Sequence, residues 1–196
     1  MLKSGEWNRS MFATVGLLLL IFFGANATAK DSESGPKVGA SLSPFEVVKC
    51  GGGEDGIEVG ETLCYRSRNG IRPQVIVFAR AGDKLNNISE LAKQLDEWSS
   101  AEKKHRAFVA VLGDSIDSAK EAATNLSDSL ELKTVPIVVP NEVKNGPETY
   151  ELTSDQQVTA LIVKRGRVKA VVQDTGDKDA SALAKSIMDS VTAELK

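Results

Sequence analysis

The chain has 196 residues, 41% of them hydrophobic and 26% charged, with a formal net charge of −3. That length supports one compact domain with a real hydrophobic core and is short for two. The slight acidic excess excludes a general electrostatic attraction for nucleic acid or anionic lipid.

Lys3 and Arg9 precede an unbroken apolar run, Met11 to Phe23, which gives way to the small residues of Gly24-Ala25-Asn26-Ala27-Thr28-Ala29. This is the pattern of a secretory signal peptide over residues 1–29, cleaved after Ala27 or Ala29. The run falls short of the roughly 20 apolar residues that span a bilayer, so the membrane is met only transiently, an uncleaved anchor being the alternative. The expected location is outside the cytoplasm, periplasmic or extracellular. Residues 30–43 are polar and read as a flexible leader to a domain over 44–196.

Pro44 to Cys50 alternates apolar and polar residues as a half-buried strand does. Gly51-Gly52-Gly53-Glu54-Asp55-Gly56 forces a turn, and Ile57 to Tyr65 returns in extended character, so Phe45 to Tyr65 reads as a hairpin-like flap ended by Asn69-Gly70. Gln74 to Phe78 is apolar on both faces, as a central strand covered on each side must be. Ile88, Leu91, Leu95 and Trp98 then mark one stripe of a helix.

Arg106 to Leu112 is a second buried strand, and Ser115 offers an N-cap to a helix through Ala119, Ala123, Leu126 and Leu130. Thr134 to Pro140 is a short apolar strand bounded by prolines, which places it at an edge or a strand start. Val158 to Val163 and Arg167 to Val172 flank Lys164-Arg165-Gly166 as a tight hairpin. Leu183, Ile187, Val191 and Leu195 share one face of a terminal helix that begins near Asp177 to Asp179.

The order is flap, β-α-β-α, short strand, β-β-α. With Thr134-Val135-Pro136-Ile137-Val138-Val139, Gly146-Pro147-Glu148-Thr149-Tyr150-Glu151-Leu152 and the Thr159 to Val168 hairpin, it resembles the thioredoxin-like superfamily, in particular the peroxiredoxin-like secreted branch. The resemblance covers Phe45 to Leu195 and implies an α/β fold, a central mixed sheet flanked by helices. In thioredoxins a C-x-x-C opens the helix after the first central strand, and in peroxiredoxins a Thr and a Cys stand there. This chain has Arg80-Ala81-Gly82-Asp83-Lys84 at that place, so no catalytic residue of the family carries over.

Cys50 and Cys64 are the only cysteines. They flank the glycine turn, and in an exported chain they read as a structural disulfide closing the base of the flap. A redox-active pair is the alternative, since Cys64-Tyr65-Arg66-Ser67 spells C-x-x-S, and free thiols are a third. No helix start is expected beneath Cys64 to lower its pKa. His105, the only histidine, reads as a solvated helix-end residue, and neither it nor Asp174, Asp177 and Asp179 has the spacing of a metal site. Gly51 to Gly53 lacks the lysine and helix of a phosphate loop, so no cofactor is expected.

Arg66, Arg68, Arg72 and Arg80 cluster in sequence and can converge on an anionic ligand or an acidic partner segment, because guanidinium forks suit carboxylate and phosphate. The function these readings favour is a non-catalytic binding or accessory domain whose partner is a protein or a small ligand. The alternatives are a thiol-disulfide oxidoreductase or peroxiredoxin-like enzyme using Cys50 and Cys64, and a chaperone-like holdase acting at the sheet edge.

Overall fold

The computed structural model describes residues 35–195; the signal-peptide expectation lies outside the described residues. Seven strands form one mixed sheet: β1 Val47–Gly51, β2 Thr62–Leu63, β3 Gln74–Arg80, β4 Arg106–Leu112, β5 Ile137–Pro140, β6 Val158–Lys164 and β7 Arg167–Asp174. Their spatial order is β2-β1-β5-β4-β3-β6-β7. Four helices join them: α1 Tyr65–Asn69, α2 Ser89–Ala101, α3 Ile116–Asp128 and α4 Ala180–Glu194. None of these helices is long and apolar enough to cross a membrane.

The centre of the sheet is parallel where helices make the crossovers and antiparallel where a turn does. β3 pairs in parallel with β4 from Gln74↔Arg106 to Arg80↔Leu112, and antiparallel with β6. The β6–β7 turn has positive φ at both Arg165 and Gly166, the conformation a two-residue hairpin turn demands. β5 is an interior strand, held between β1 and β4 rather than at an edge. Its prolines are tolerated because Pro136 stands before the strand and Pro140 ends it.

The two faces are covered differently. Leu91 and Leu95 of α2, Ala123 and Leu126 of α3, and Ile187 and Val191 of α4 all pack on one face with Val75, Val77, Val109 and Ile162. The opposite face carries short α1 and an aromatic layer, in which Phe45 meets Phe78, Phe108 and Tyr150 with ring centroids 5.1 to 6.1 Å apart. Such tilted and edge contacts add to the burial energy of the rings.

The reading of 30–43 as a leader needs correction in its second half. Gly39 N–H donates to Val168 O at 2.8 Å, Val168 N–H donates to Ala40 O at 3.0 Å, and Leu42 is buried in the aromatic face. Residues 35–43 thus belong to the folded domain: Leu42 supplies the apolar anchor, and backbone pairing with β7 serves the polar stretch.

α2 also fixes the approach to β5. The Asp96 carboxylate accepts from the backbone N–H groups of Lys133, Thr134 and Val135 and from Thr134 Oγ1, at 2.7 to 3.2 Å. Burial opposes its ionisation, but these donors outweigh burial and hold its pKa below the ordinary carboxylate range. Because the folded-state pKa is depressed, the stabilisation is present above the unfolded value near 3.9 and is lost as pH falls through the folded one. Asp96→Asn is expected to cost about 2 kcal/mol at pH 7. Urea unfolding of both proteins at falling pH should show the difference shrinking below about pH 4.

Candidate functional site

Two places in this fold can be weighed as sites, at opposite ends of β3. At its C-terminal end, Arg80 turns back over the sheet instead of presenting a reactive group. Its Nε donates to Gln156 O at 3.0 Å, its Nη1 to Lys144 O at 2.7 Å and its Nη2 to Thr153 O at 3.0 Å. Gln157 Nε2 returns a bond to Arg80 O at 2.6 Å, and Lys84 Nζ reaches Gly176 O at 2.7 Å. Burial lowers the Arg80 pKa against the opposing field of Asp155 and Asp114, yet a guanidinium stays charged. The junction is a knot of side chain and backbone, and its chemistry is structural.

The disulfide expectation is corrected by register. β1 and β2 pair Val47↔Leu63 and Val48↔Thr62, so Cys64 falls opposite Glu46 and Cys50 opposite Gly60. Four residues of offset is about 13 Å along a strand, beyond the roughly 7 Å between Cα atoms that a disulfide bridges. Both thiols are free. Cys50 is 7% exposed in the helix-covered core, and burial raises its pKa against the pull of Lys120. Such a thiol is a poor nucleophile.

Cys64 is also not where the sequence placed it, because a helix does follow. It is the N-cap of α1: its Sγ accepts from Ser67 N–H at 3.2 Å, and its S–H donates to Ser67 Oγ at 2.9 Å. The C-x-x-S spelling is therefore a cap, with the sulfur in the place a serine oxygen usually takes.

At the N-terminal ends of β3 and β4 lies a cavity of about 460 Å³. It has four walls: α1 and the turn after it supply Tyr65, Arg68, Asn69 and Arg72; the end of the α2–β4 connection and the first residue of β4 supply His105 and Arg106; the approach to β5 supplies Lys133 and Thr134. The fourth wall is the loop after β1, organised by a buried lysine. Lys49, 3% exposed, uses its three N–H donors on Gly53 O, Asp55 Oδ1 and Ile57 O at 2.6, 2.8 and 2.9 Å. Asp55 also accepts from Tyr65 OH at 2.6 Å and from Ile57 N–H at 3.1 Å.

That network sets the protonation of its members. Burial works against the Asp55 charge, but bonds from Lys49, Tyr65 and Ile57 hold its pKa below the usual range. Burial and the same Asp55 bond push the Tyr65 phenol up, so it stays a donor. Asp55 is consequently spent on Lys49 and Tyr65 and is no counter-ion for the arginines beside it.

Of the four arginines singled out in the sequence, the fold brings Arg68 and Arg72 to this cavity and sends the others elsewhere. Arg80 is the knot at the far end of β3. Arg66 points toward the β6–β7 turn, where its Nη2 would lie 3.1 Å from a Cβ built on Gly166. The arginine that sequence reasoning missed is Arg106, which opens β4 and faces Arg72 because the parallel pairing sets the two strand starts side by side. Burial, then the fields of Arg72 and Arg68, lower its pKa. His105, expected to be solvated, is 7% exposed and stacks on Trp98 with centroids 4.1 Å apart, its Nδ1 within 3.1 Å of Trp98 O. Of the aspartates near the last helix, Asp179 caps α4 through Ala182 N–H, and no metal-binding cluster occurs among the described residues.

No protein-family model and no curated protein matches the chain. Solved structures do. A conserved protein of unassigned role from Geobacillus kaustophilus aligns with a TM-score of 0.59 at 14% identity, over 81% of this chain and 82% of that one. The thioredoxin domain of a thiol-disulfide oxidoreductase from Bacteroides vulgatus gives 0.51 at 12% identity, over 80% and 99%. Peroxidoxin BcpB from Mycobacterium tuberculosis gives 0.54 at 12% identity, over 80% and 97%. At such identities the likeness is one of fold, and the fold is thioredoxin-like.

Proposed function

We propose that this chain is an exported, non-catalytic binding or accessory domain built on the thioredoxin-like fold. The observation that carries the reading is Arg80: where relatives of this fold present a thiolate, its guanidinium ties Lys144, Thr153 and Gln156 across the strand end. The two cysteines cannot replace that group as a pair, since Cys50 is buried and the strand register holds Cys64 away from it. Export rests on the N-terminal signal pattern, whose charged start, apolar run and small residues are arranged for cleavage.

A second reading has one observation in its favour. Cys64 is a free, only partly buried thiol whose sulfur caps α1 by accepting the Ser67 N–H, so a single-thiol reaction at that cysteine is chemically reasonable. Turnover assays separate the two. The purified protein is expected to reduce neither oxidised glutathione nor hydrogen peroxide above the rate of buffer and reductant alone. Turnover by the wild type that disappears in Cys64→Ser would overturn the non-catalytic reading in favour of the thiol enzyme.

A further inference from the structure

The structure of the cavity at the N-terminal ends of β3 and β4 names a ligand class. Arg68, Arg72, Arg106 and Lys133 border it, and among the described residues none of the four makes an ion pair; the salt bridges lie at Lys49, Lys104, Lys178 and Lys185. The arginines are nevertheless held in place. Arg68 Nη2 donates to Asp55 O at 2.8 Å, Arg72 Nη1 to Arg68 O at 3.4 Å, and Arg106 Nη1 to Lys103 O and His105 O at 2.7 and 2.5 Å. Each bond is to a backbone carbonyl and occupies one nitrogen of its guanidinium, so the other donors of these cavity-lining side chains have no hydrogen-bond partner among the described residues.

Clustering like charges without a counter-ion costs free energy, and this chain is acidic overall. Of the two acidic residues at the cavity, Asp55 is engaged by Lys49 and Tyr65, and Glu54 sits exposed at the rim without an ion-pair partner among the described residues. An anion with several oxygens is the species that would satisfy three forks at once, because each fork matches a carboxylate or phosphate edge in a bidentate manner. The volume of about 460 Å³ lies in the range of small-molecule sites and is far more than a halide needs.

We propose that this cavity binds a small multivalent oxyanion, a phosphorylated or polycarboxylate molecule, on Arg68, Arg72, Arg106 and Lys133. The proposal rests on the reading of the chain as a binding domain and gives that reading its site. The location is unusual for an open α/β sheet, in which ligands sit at the carboxyl ends of the parallel strands. Here that end is closed by Arg80, and the opposite end is the open one.

The test is titration calorimetry of the protein, in the form its cell accumulates, with pyrophosphate and with citrate at fixed ionic strength, acetate serving as the monovalent control. The expected result is saturable one-to-one binding of at least one multivalent anion. Arg72→Gln and Arg106→Gln should each weaken it tenfold or more, and Lys144→Gln, an exposed side chain at the opposite, Arg80 end of β3, should leave it unchanged. Tighter pyrophosphate assigns a phosphorylated ligand, and tighter citrate assigns a polycarboxylate. Absence of saturable binding, or equal binding by all three variants, overturns the site. Turnover assays on the same samples keep the two proposals apart: activity lost in Cys64→Ser sinks the non-catalytic reading alone, whereas absent binding without turnover sinks only the cavity assignment.

Discussion

Asp55→Ala is expected to destabilise the protein by about 3–5 kcal/mol, the cost of leaving a buried charge without its partner. Lys49 is 3% exposed and projects from β1 into the loop that follows, so removing the carboxylate leaves its ammonium without the charge that compensates it. Two of its three bonds, to Gly53 O and Ile57 O, survive the substitution in principle. They do not supply a negative charge, and the loop they organise also loses the Asp55 bonds to Ile57 N–H and Tyr65 OH. Urea unfolding at neutral pH measures the loss. The double variant Lys49→Met with Asp55→Ala should recover a large part of it, since the uncompensated charge is then gone. A loss below about 1 kcal/mol in the single variant would show that Lys49 reaches solvent and that the loop is not built around it.

Arg80→Ala should cost about 3 kcal/mol, because charge-assisted bonds to three carbonyls are lost together and those groups must find water where the side chain stood. Arg80→Lys should restore only part of this, as an ammonium cannot place donors along a planar fork toward Gln156, Lys144 and Thr153. Amide hydrogen exchange is the sharper readout. Residues 144–157 should lose protection in Arg80→Ala while β3 and β4 keep theirs. Unchanged exchange in that loop would mean that its own contacts, not the guanidinium, hold it down.

The strands and long helices were legible because their signals are local. The apolar run at Gln74 to Phe78, the Ser115 cap and the fourfold spacing of Leu183, Ile187, Val191 and Leu195 each state their element within a few residues. The sites were less legible because they depend on register and on long-range pairing. The disulfide expectation rested on two cysteines flanking the glycine turn of an exported chain. The observed pairing is offset, with Lys49 drawing Gly53, Asp55 and Ile57 onto β1.

A lysine on the same alternating face as Phe45 and Val47 was the available hint of that buried network. Arg106 offered none. It is 34 residues from Arg72 in the numbering, and only the parallel pairing of β3 with β4 makes them neighbours. The helix beneath Cys64 escaped notice because five residues, Tyr65–Asn69, carry too little periodicity to announce a helix.

The segment that crosses from Gly39 to Ser41 onto β7 has a consequence for how the molecule behaves in a crowded solution. An outermost strand with free amides is a template on which further chains can polymerise. Here the turn end of β7 is already engaged by Gly39, Ala40 and the Ser41↔Arg167 bridge, exposed Lys169 lies along the same strand, and the other border of the sheet is only the two residues Thr62–Leu63. A covered strand start, a charged side chain along the edge and a two-residue border strand are devices by which sheets limit the addition of an incoming strand.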